Sequence, residues 1–170
     1  NALLLRMLER EKLLSVSETI RYRYRVSIPT GADRLLEKTK RIRNSAKRAG
    51  MVLCEVTNEL ELQGVFSALI SLNKQRWVKK GFNAIFDSVV FRDFHSSVSA
   101  KLLASGNLSM LYLRKDDEVF AVNYGMRSSN SIIFYQSGFD ETIKPNVSPG
   151  KLLHSAQALK AQKENLANYD

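Results

Sequence analysis

The chain has 170 residues, of which 44% are hydrophobic and 25% are charged, with a net charge of +9 and a single cysteine. These values predict one globular domain, or one complete domain with a fragment of another, and they exclude a fibrous protein, a disordered chain and a disulfide framework. No stretch approaches the length of apolar sequence that a membrane span needs. Cys54 alone indicates a reducing compartment, and we expect the cytoplasm.

The first part of the chain predicts a helix, a strand and a second helix. Residues 1–14 carry charges inside an apolar run, which is typical of a helix rather than a signal peptide. Polar and apolar residues alternate over 21–28, which predicts a strand. Thr30 or Asp33 is expected to cap the helix that follows.

This second helix, over residues 34–48, holds most of the net charge. It has seven basic residues and one acidic residue, a balance of +6. A weak apolar stripe leaves its other faces cationic. Such a surface suits the phosphates of a nucleic acid or a nucleotide cofactor, although a charge run is as often a solvated helix. No zinc-finger, RNP-type or basic-zipper pattern accompanies it.

The middle of the chain predicts a strand, two helical regions and a meander. A short strand over 51–56 precedes a helix capped by Thr57 or Asn58, and a third helical region begins at Phe86. Three further strand signals then occur, separated by two turns, at 108–113, 119–127 and 132–140. Strands so closely connected are expected to pair as an antiparallel meander.

A last helix starts at the sequence SPGK, residues 148–151, after a loop that contains Pro145, and ends near Asn165. A helix that begins beside a strand end presents free N–H groups and the positive end of its dipole, so it can bind phosphate. Gly150 permits close approach of a ligand, and Lys151 adds a charge. On its own this is a weak signal, because many helices start in this way and bind nothing.

Five segments, taken in order, resemble the GNAT acyltransferase superfamily. They are LNKQRWVKKG at 72–81, FH at 94–95, FYQSGFD at 134–140, SPGKLL at 148–153 and NYD at 168–170. The nearest branch is the CelD-like proteins of cellulose and exopolysaccharide synthesis, relatives of the FemAB aminoacyltransferases. The resemblance implies an α/β (α+β) fold, with a GNAT-like mixed sheet and an antiparallel three-strand meander flanked by helices.

The same resemblance implies a division of the chain. Residues 1–29 are expected to be the remnant of a preceding GNAT-like half plus a linker, and residues 30–170 a C-terminal GNAT-like domain that is incomplete before its last strands. Family members often carry histidine where this chain has Asn73, so no role is assigned to that residue.

The activity implied is transfer of an acyl group from acyl-coenzyme A to an amine or hydroxyl of a small molecule or of a cell-envelope or polysaccharide precursor, without a metal. The helix start would hold the pyrophosphate of the donor, whose pantetheine arm would lie where two strands splay apart. The residues expected to bind the donor are Ser148, Gly150, Lys151, Leu152 and Gln136.

Asp140 and Tyr135 are the candidate catalytic residues, and Arg76 and Trp77 are the candidate substrate-binding residues. Each has a structural alternative: Asp140 can cap its loop, and Trp77 can anchor the core. Tyr135 and Gln136 are expected to face opposite sides of their strand.

The remaining candidates are expected to be structural. His95 and His154 are interpreted as packing residues, and Cys54 as a small buried hydrophobe. Three other functions stay open: an RNA-binding module that uses the basic helix, a FemAB-type transferase with an aminoacyl-tRNA donor, and a GNAT-like half with no donor site.

Overall fold

The computed structural model describes residues 25–143 and 147–170. Over these ranges the chain forms a mixed α/β fold, in which helices cover both faces of a curled six-stranded sheet. The predicted helix over 1–14 and the first part of the predicted strand over 21–28 lie outside the described residues.

The elements follow the predicted order. The strands are β1 (Val26–Ser27), β2 (Val52–Glu55), β3 (Leu108–Lys115), β4 (Glu118–Arg127), β5 (Ser131–Phe139) and β6 (Asn168–Tyr169). The helices are α1 (Thr30–Arg48), α2 (Glu59–Lys79), α3 (Val89–Ala104) and α4 (Pro149–Lys163), with a 3-10 turn at Ile85–Asp87 before α3.

The strands are arranged in the order β1-β6-β5-β4-β3-β2. β3, β4 and β5 form the predicted antiparallel meander, β2 extends it on one side, and β6 pairs in parallel with β5 on the other. The parallel pair covers only the start of β5, where Ser131 lies opposite Asn168 and Ile132 opposite Tyr169. The predicted mixed sheet is therefore confirmed.

The core lies on both faces of the sheet because side chains alternate along each strand. From β3, Met110 and Tyr112 pack beneath α2 and α3, whereas Leu111 and Leu113 pack against α4. The basic helix α1 lies beside α4 and buries only small residues, namely Ala32, Thr39 and Ala46. None of the described helices is long and apolar enough to span a bilayer.

The predicted helix starts are correct at α2 and wrong at α1. Asn58 accepts a hydrogen bond from the Glu61 N–H at 2.9 Å, as expected for an N-cap. Helix α1 instead begins directly after Pro29 with no side-chain cap, because Thr30 is already helical. The Asp33 carboxylate accepts a hydrogen bond from Gln162 Nε2 of α4 at 3.0 Å.

Candidate functional site

A β-bulge interrupts the pairing of β5 with β4. The register passes from Gly125 opposite Phe134 to Tyr124 opposite Gln136, so Tyr135 has no partner on β4. The backbones are close here, since a Cβ on Gly125 would lie 2.7 Å from the carbonyl oxygen of Ile133. An extra residue of this kind bends its strand and leaves part of its backbone unpaired.

The bulge overturns the expected alternation of Tyr135 and Gln136. Residues opposite each other in an antiparallel pair share a face, so Gln136 lies on the face of Tyr124, toward α2 and α3. The Tyr135 ring also contacts the Tyr124 ring, with centroids 5.7 Å apart. The side chains of Tyr135 and Gln136 therefore both face α2 and α3, because the inserted residue interrupts the two-residue alternation of side chains along β5.

Tyr135 is joined to a buried histidine on this face. His95 of α3 lies 3.0 Å from the Tyr135 hydroxyl through Nε2 and 3.4 Å from the Tyr124 hydroxyl through Nδ1. The exposed fractions are 36% for Tyr135, 5% for His95 and 0% for Tyr124. Burial lowers the pKa of His95, and burial followed by the charge of Tyr135 raises the pKa of Tyr124 to about 12. Burial therefore favours the uncharged forms of His95 and Tyr124, and Tyr135 is the member of this group of three that reaches the surface.

Aromatic rings enclose the histidine. Phe91 stacks on Tyr135 with an interplanar angle of 17° and lies 4.4 Å from the His95 ring, centroid to centroid. Phe94 meets the other side of the His95 ring at 5.0 Å and is itself 60% exposed. These rings shield the imidazole, since His95 is 5% exposed, whereas Tyr135 is 36% exposed.

The start of α4 lies beside the other end of β5. Ser148 occupies the N-cap position but its side chain makes no capping hydrogen bond, unlike Asn58 at α2 and Ser88 at α3. The Lys151 N–H occupies the position that those two caps satisfy, so no side-chain cap competes for it. Among the described residues, a Cβ on Gly150 would meet only the Phe139 ring, at 3.8 Å, so no described side chain fills the space beside this glycine.

Leu152 differs from the other predicted donor-binding residues. Its N–H already donates to the Ser148 carbonyl at 3.0 Å, and its side chain is buried in the core with Leu153. Lys151, by contrast, is exposed. Ser148, Gly150 and Lys151 therefore remain the candidates for binding an anion at this helix start.

Arg76 contacts the same Phe139 ring that lies beside this helix start. Its guanidinium carbon is 4.5 Å from the centre of the Phe139 ring, and its Nε is 3.6 Å from the Glu141 carboxylate. Lys79 approaches the same carboxylate at 3.5 Å. The Arg76 Nε is buried and finds no hydrogen-bond partner in the part of the chain that the structure describes. The predicted anion-binding side chain thus lies close to the end of β5, paired with Glu141.

Trp77 and Asp140 make local contacts. Trp77 is half-buried and packs edge-on against the exposed Phe82 ring at 6.0 Å, outside the core clusters of the described residues. Asp140 accepts the Thr142 N–H at 2.7 Å through Oδ1 and so caps its loop. Neither residue is brought to the Tyr135 hydroxyl by the contacts found.

Known proteins agree with this architecture. The family model described as "Acetyltransferase (GNAT) domain" matches residues 34–170. The chain therefore belongs to the GNAT acetyltransferase-domain family. No curated protein matches the chain by sequence. The family assignment agrees with the mixed α/β fold and with the order of its elements.

Two solved structures are similar to this chain, and the first of them supports the fold. The C-terminal domain of a proposed lysylphosphatidylglycerol synthetase from Agrobacterium fabrum has a TM-score of 0.52 and 11% identity, covering 79% of this chain and 40% of that chain. A conserved protein of unknown function from Staphylococcus epidermidis has a TM-score of 0.44 and 10% identity, covering 98% of this chain and 67% of that chain. The GNAT domain thus spans well under half the length of the first of these.

Asn73 holds α2 of the GNAT domain against β5. Its Nδ2 donates to the Ser137 carbonyl at 2.9 Å, and the residue is 1% exposed. Its Oδ1 is buried and finds no partner among the described residues. Arg76 follows one turn later on the same helix. Asn73 therefore positions the helix that carries Arg76.

The opposite face of the sheet carries a second polar group. Gln157 of α4, fully buried, accepts from Asn123 Nδ2 at 3.2 Å and from the Tyr169 hydroxyl at 2.9 Å, and donates to the Ser109 carbonyl at 3.1 Å. His154 contacts the same Tyr169 hydroxyl, and burial lowers the pKa of His154. These contacts agree with the structural role expected for His154.

Cys54 differs from its expected burial, and Tyr124 was not among the predicted residues. Cys54 is half-buried on the edge strand β2 rather than buried. Tyr124 was missed, because a tyrosine in a strand gives no sign of its partner across the fold. Among the described residues, no group of three or more His, Cys, Asp or Glu side chains is placed to hold a metal ion.

Proposed function

We propose that this GNAT domain transfers an acyl group from acyl-coenzyme A to an amine or hydroxyl of a small molecule or of a cell-envelope or polysaccharide precursor, in the cytoplasm. The single observation that carries the proposal is the start of α4 beside the end of β5, where Ser148 makes no capping hydrogen bond and no described side chain fills the space at Gly150, in a chain of the GNAT family. The CelD-like resemblance of the sequence supports the choice of acceptor class.

In this proposal the start of α4 binds the donor's pyrophosphate. The N–H groups of Gly150 and Lys151 would donate to phosphate oxygens, aided by the positive end of the helix dipole. The Lys151 ammonium and the Ser148 hydroxyl are close enough in sequence to add a charge and a further hydrogen bond. The absence of a side chain at Gly150 leaves room for the phosphates.

The reacting end of the donor would lie along β5 toward the bulge. Tyr135 precedes Phe139 by four residues, or roughly 13 Å at the rise of a strand. A coenzyme A thioester is separated from its phosphates by an extended pantetheine arm, so phosphate contacts at α4 would place the thioester near Tyr135. Gln136 lies on the same face of the sheet as Tyr135, toward α2 and α3, and would contact the pantetheine arm.

Acyl transfer from a thioester needs little covalent help from a protein. It needs the acceptor and the thioester held in register, an N–H group that polarises the carbonyl, and a route for the proton. The unpaired backbone at the bulge would supply the N–H, and Tyr135 the polar hydroxyl. No Ser-His-Asp arrangement is required.

The test is a thermal-shift titration with acetyl-coenzyme A. Binding to the folded state raises the melting temperature with ligand concentration. We expect a rise for the wild type and none for Gly150→Glu, since a carboxylate would occupy the phosphate position. Gly64→Glu is the matched control, because Gly64 lies in α2 with no atom within 4 Å of a Cβ, and it should keep the full rise.

The same assay separates the alternatives. The side chains of Arg34, Lys38, Lys40, Arg41, Lys47 and Arg48 on α1 are exposed, which suits an RNA-binding surface. A rise with RNA that disappears with salt, and none with acetyl-coenzyme A, would favour an RNA-binding module instead. No rise with either ligand would favour a GNAT-like half without a donor site.

A further inference from the structure

The hydrogen bonds behind Tyr135 form a chain from the surface into the core. The chain runs from the Tyr135 hydroxyl through the His95 imidazole to the Tyr124 hydroxyl. We propose that Tyr135 carries the proton during acyl transfer and that His95 is its positioning residue, held in one tautomer by Tyr124. This inference rests on the proposed function and names the proton-transfer site within it.

Burial of Tyr124 determines the tautomer of His95. Burying a hydroxyl that donates no hydrogen bond is energetically unfavourable. Among the described residues, the partner of the buried Tyr124 hydroxyl is His95 Nδ1. We therefore assign the Tyr124 hydroxyl as the donor and His95 Nδ1 as the unprotonated acceptor. In a neutral imidazole the proton then lies on Nε2, which donates to the Tyr135 oxygen.

This arrangement orients the Tyr135 hydroxyl. Because its oxygen accepts from His95 Nε2–H, its own hydrogen is free to point outward. If Tyr135 gives up that hydrogen, the same Nε2–H stabilises the phenolate, without any charge having to move into the core. Phe91, stacked on the Tyr135 ring, restricts the ring to this position.

The surroundings of His95 favour the neutral ring. The groups that face it are Phe91 and Phe94 from its own helix, Tyr124 from β4 and Tyr135 from β5. Both titratable neighbours are phenols, and burial is the cause of the lowered pKa of His95. A neutral His95 can donate to Tyr135 throughout the neutral range.

The proposed step is balanced in atoms and charge. The nitrogen of an amine acceptor forms a bond to the thioester carbonyl carbon, and the carbon–sulfur bond breaks. The proton that the nitrogen loses is taken up through the Tyr135 oxygen as the Tyr135 hydroxyl hydrogen passes to the departing sulfur. Tyr135 ends as it began, and the products are an amide and free coenzyme A.

The tautomer can be read directly by nitrogen NMR of the full chain. The sequence has two histidines, so the His154→Gln variant identifies the His95 signals. We expect a neutral ring at pH 7 with the proton on Nε2, and a shift of population toward Nδ1–H in Tyr124→Phe. A proton on Nδ1 in the wild type, a charged ring, or no response to Tyr124→Phe would overturn the inference.

Turnover tests the proton role, with acetyl-coenzyme A as donor and hydroxylamine as a small amine. Tyr135→Phe should lower kcat by about 100-fold or more with KM for acetyl-coenzyme A unchanged, in the range of general acid–base catalysis. His95→Phe should lower kcat about tenfold or more, whereas His95→Gln, whose amide N–H can replace Nε2–H, should recover most of it.

The outcomes separate this inference from the proposed function. A wild-type chain whose melting temperature does not respond to acetyl-coenzyme A would contradict the proposed function, while the NMR result would still stand by itself. If the thermal response is intact but His95→Phe turns over as fast as the wild type, or is no worse than His95→Gln, the positioning role of His95 is refuted.

Discussion

Gly138 is the point of closest approach between α2 and β5. A Cβ on this residue would lie 2.8 Å from the Asn73 nitrogen, 2.8 Å from the Leu69 carbonyl oxygen and 2.9 Å from the Leu72 Cβ. Real Cβ atoms essentially never come within 3.0 Å of such neighbours. Two of the three atoms are helix backbone, so no flexible side chain can move aside. Gly138→Ala must therefore push α2 away from the sheet.

The size of the effect follows from overpacking. One extra methyl group in a closely packed interior costs about 1–3 kcal/mol. In a chain of this length, each kcal/mol changes the melting temperature by roughly 2–4 °C. We expect Gly138→Ala to melt roughly 2–12 °C below the wild type.

Calorimetry of matched alanine variants tests the reasoning. Gly64→Ala places the same methyl group in the same helix, where nothing lies within 4 Å, and should raise stability by about 0.5–1 kcal/mol through helix propensity. The two substitutions should thus have opposite signs. A Gly138→Ala chain that melts with the wild type would show that α2 and β5 are not in close contact.

Three further outcomes can be checked by urea denaturation. Asn58→Ala should lower the free energy of unfolding by about 1 kcal/mol, and Ser148→Ala by clearly less, because of these two residues Asn58 alone makes a capping hydrogen bond. Equal losses in the two variants would contradict this difference in capping. Burial lowers the pKa values of His95 and His154, so the unfolded chain takes up protons first as the pH falls below about 7. The free energy of unfolding should therefore fall between pH 7 and pH 5, and a flat profile would show that these rings are not buried in neutral form. Gln157→Leu should cost about 2 kcal/mol or more, since it leaves several buried polar groups without partners, and a near-neutral result would show that water satisfies them.

The sheet could be predicted from sequence because its signals are local. Strands β3, β4 and β5 are separated by tight turns, and each pattern of alternation is decided by its own residues. Asn58 could be recognised as a cap for the same reason, since an N-cap acts within one helical turn. The start of α4 also follows from its own sequence, with Pro149 in the first turn.

The chemistry around Tyr135 could not be predicted in this way because it depends on contacts between distant segments. His95 and Tyr135 are 40 residues apart, and nothing in either segment indicates the other. The bulge had one sequence signal, Gly125 within a strand, which suggests close backbone approach but not which strand gains the extra residue. Simple alternation along a strand therefore predicted Tyr135 and Gln136 on opposite faces. That prediction was wrong because one extra residue is inserted in β5 at the bulge.

The bulge also explains how one strand can serve both ends of the proposed donor. Before the bulge, Phe134 faces α4, where its ring contacts His154. After it, Phe139 faces α4 again and lies beside Gly150, at the start of that helix. Between them, Tyr135 and Gln136 together face α2 and α3. Without the extra residue, one of these two side chains would point toward α4. A single insertion thus brings two polar side chains to the face that holds His95, while the end of β5 remains next to the start of α4.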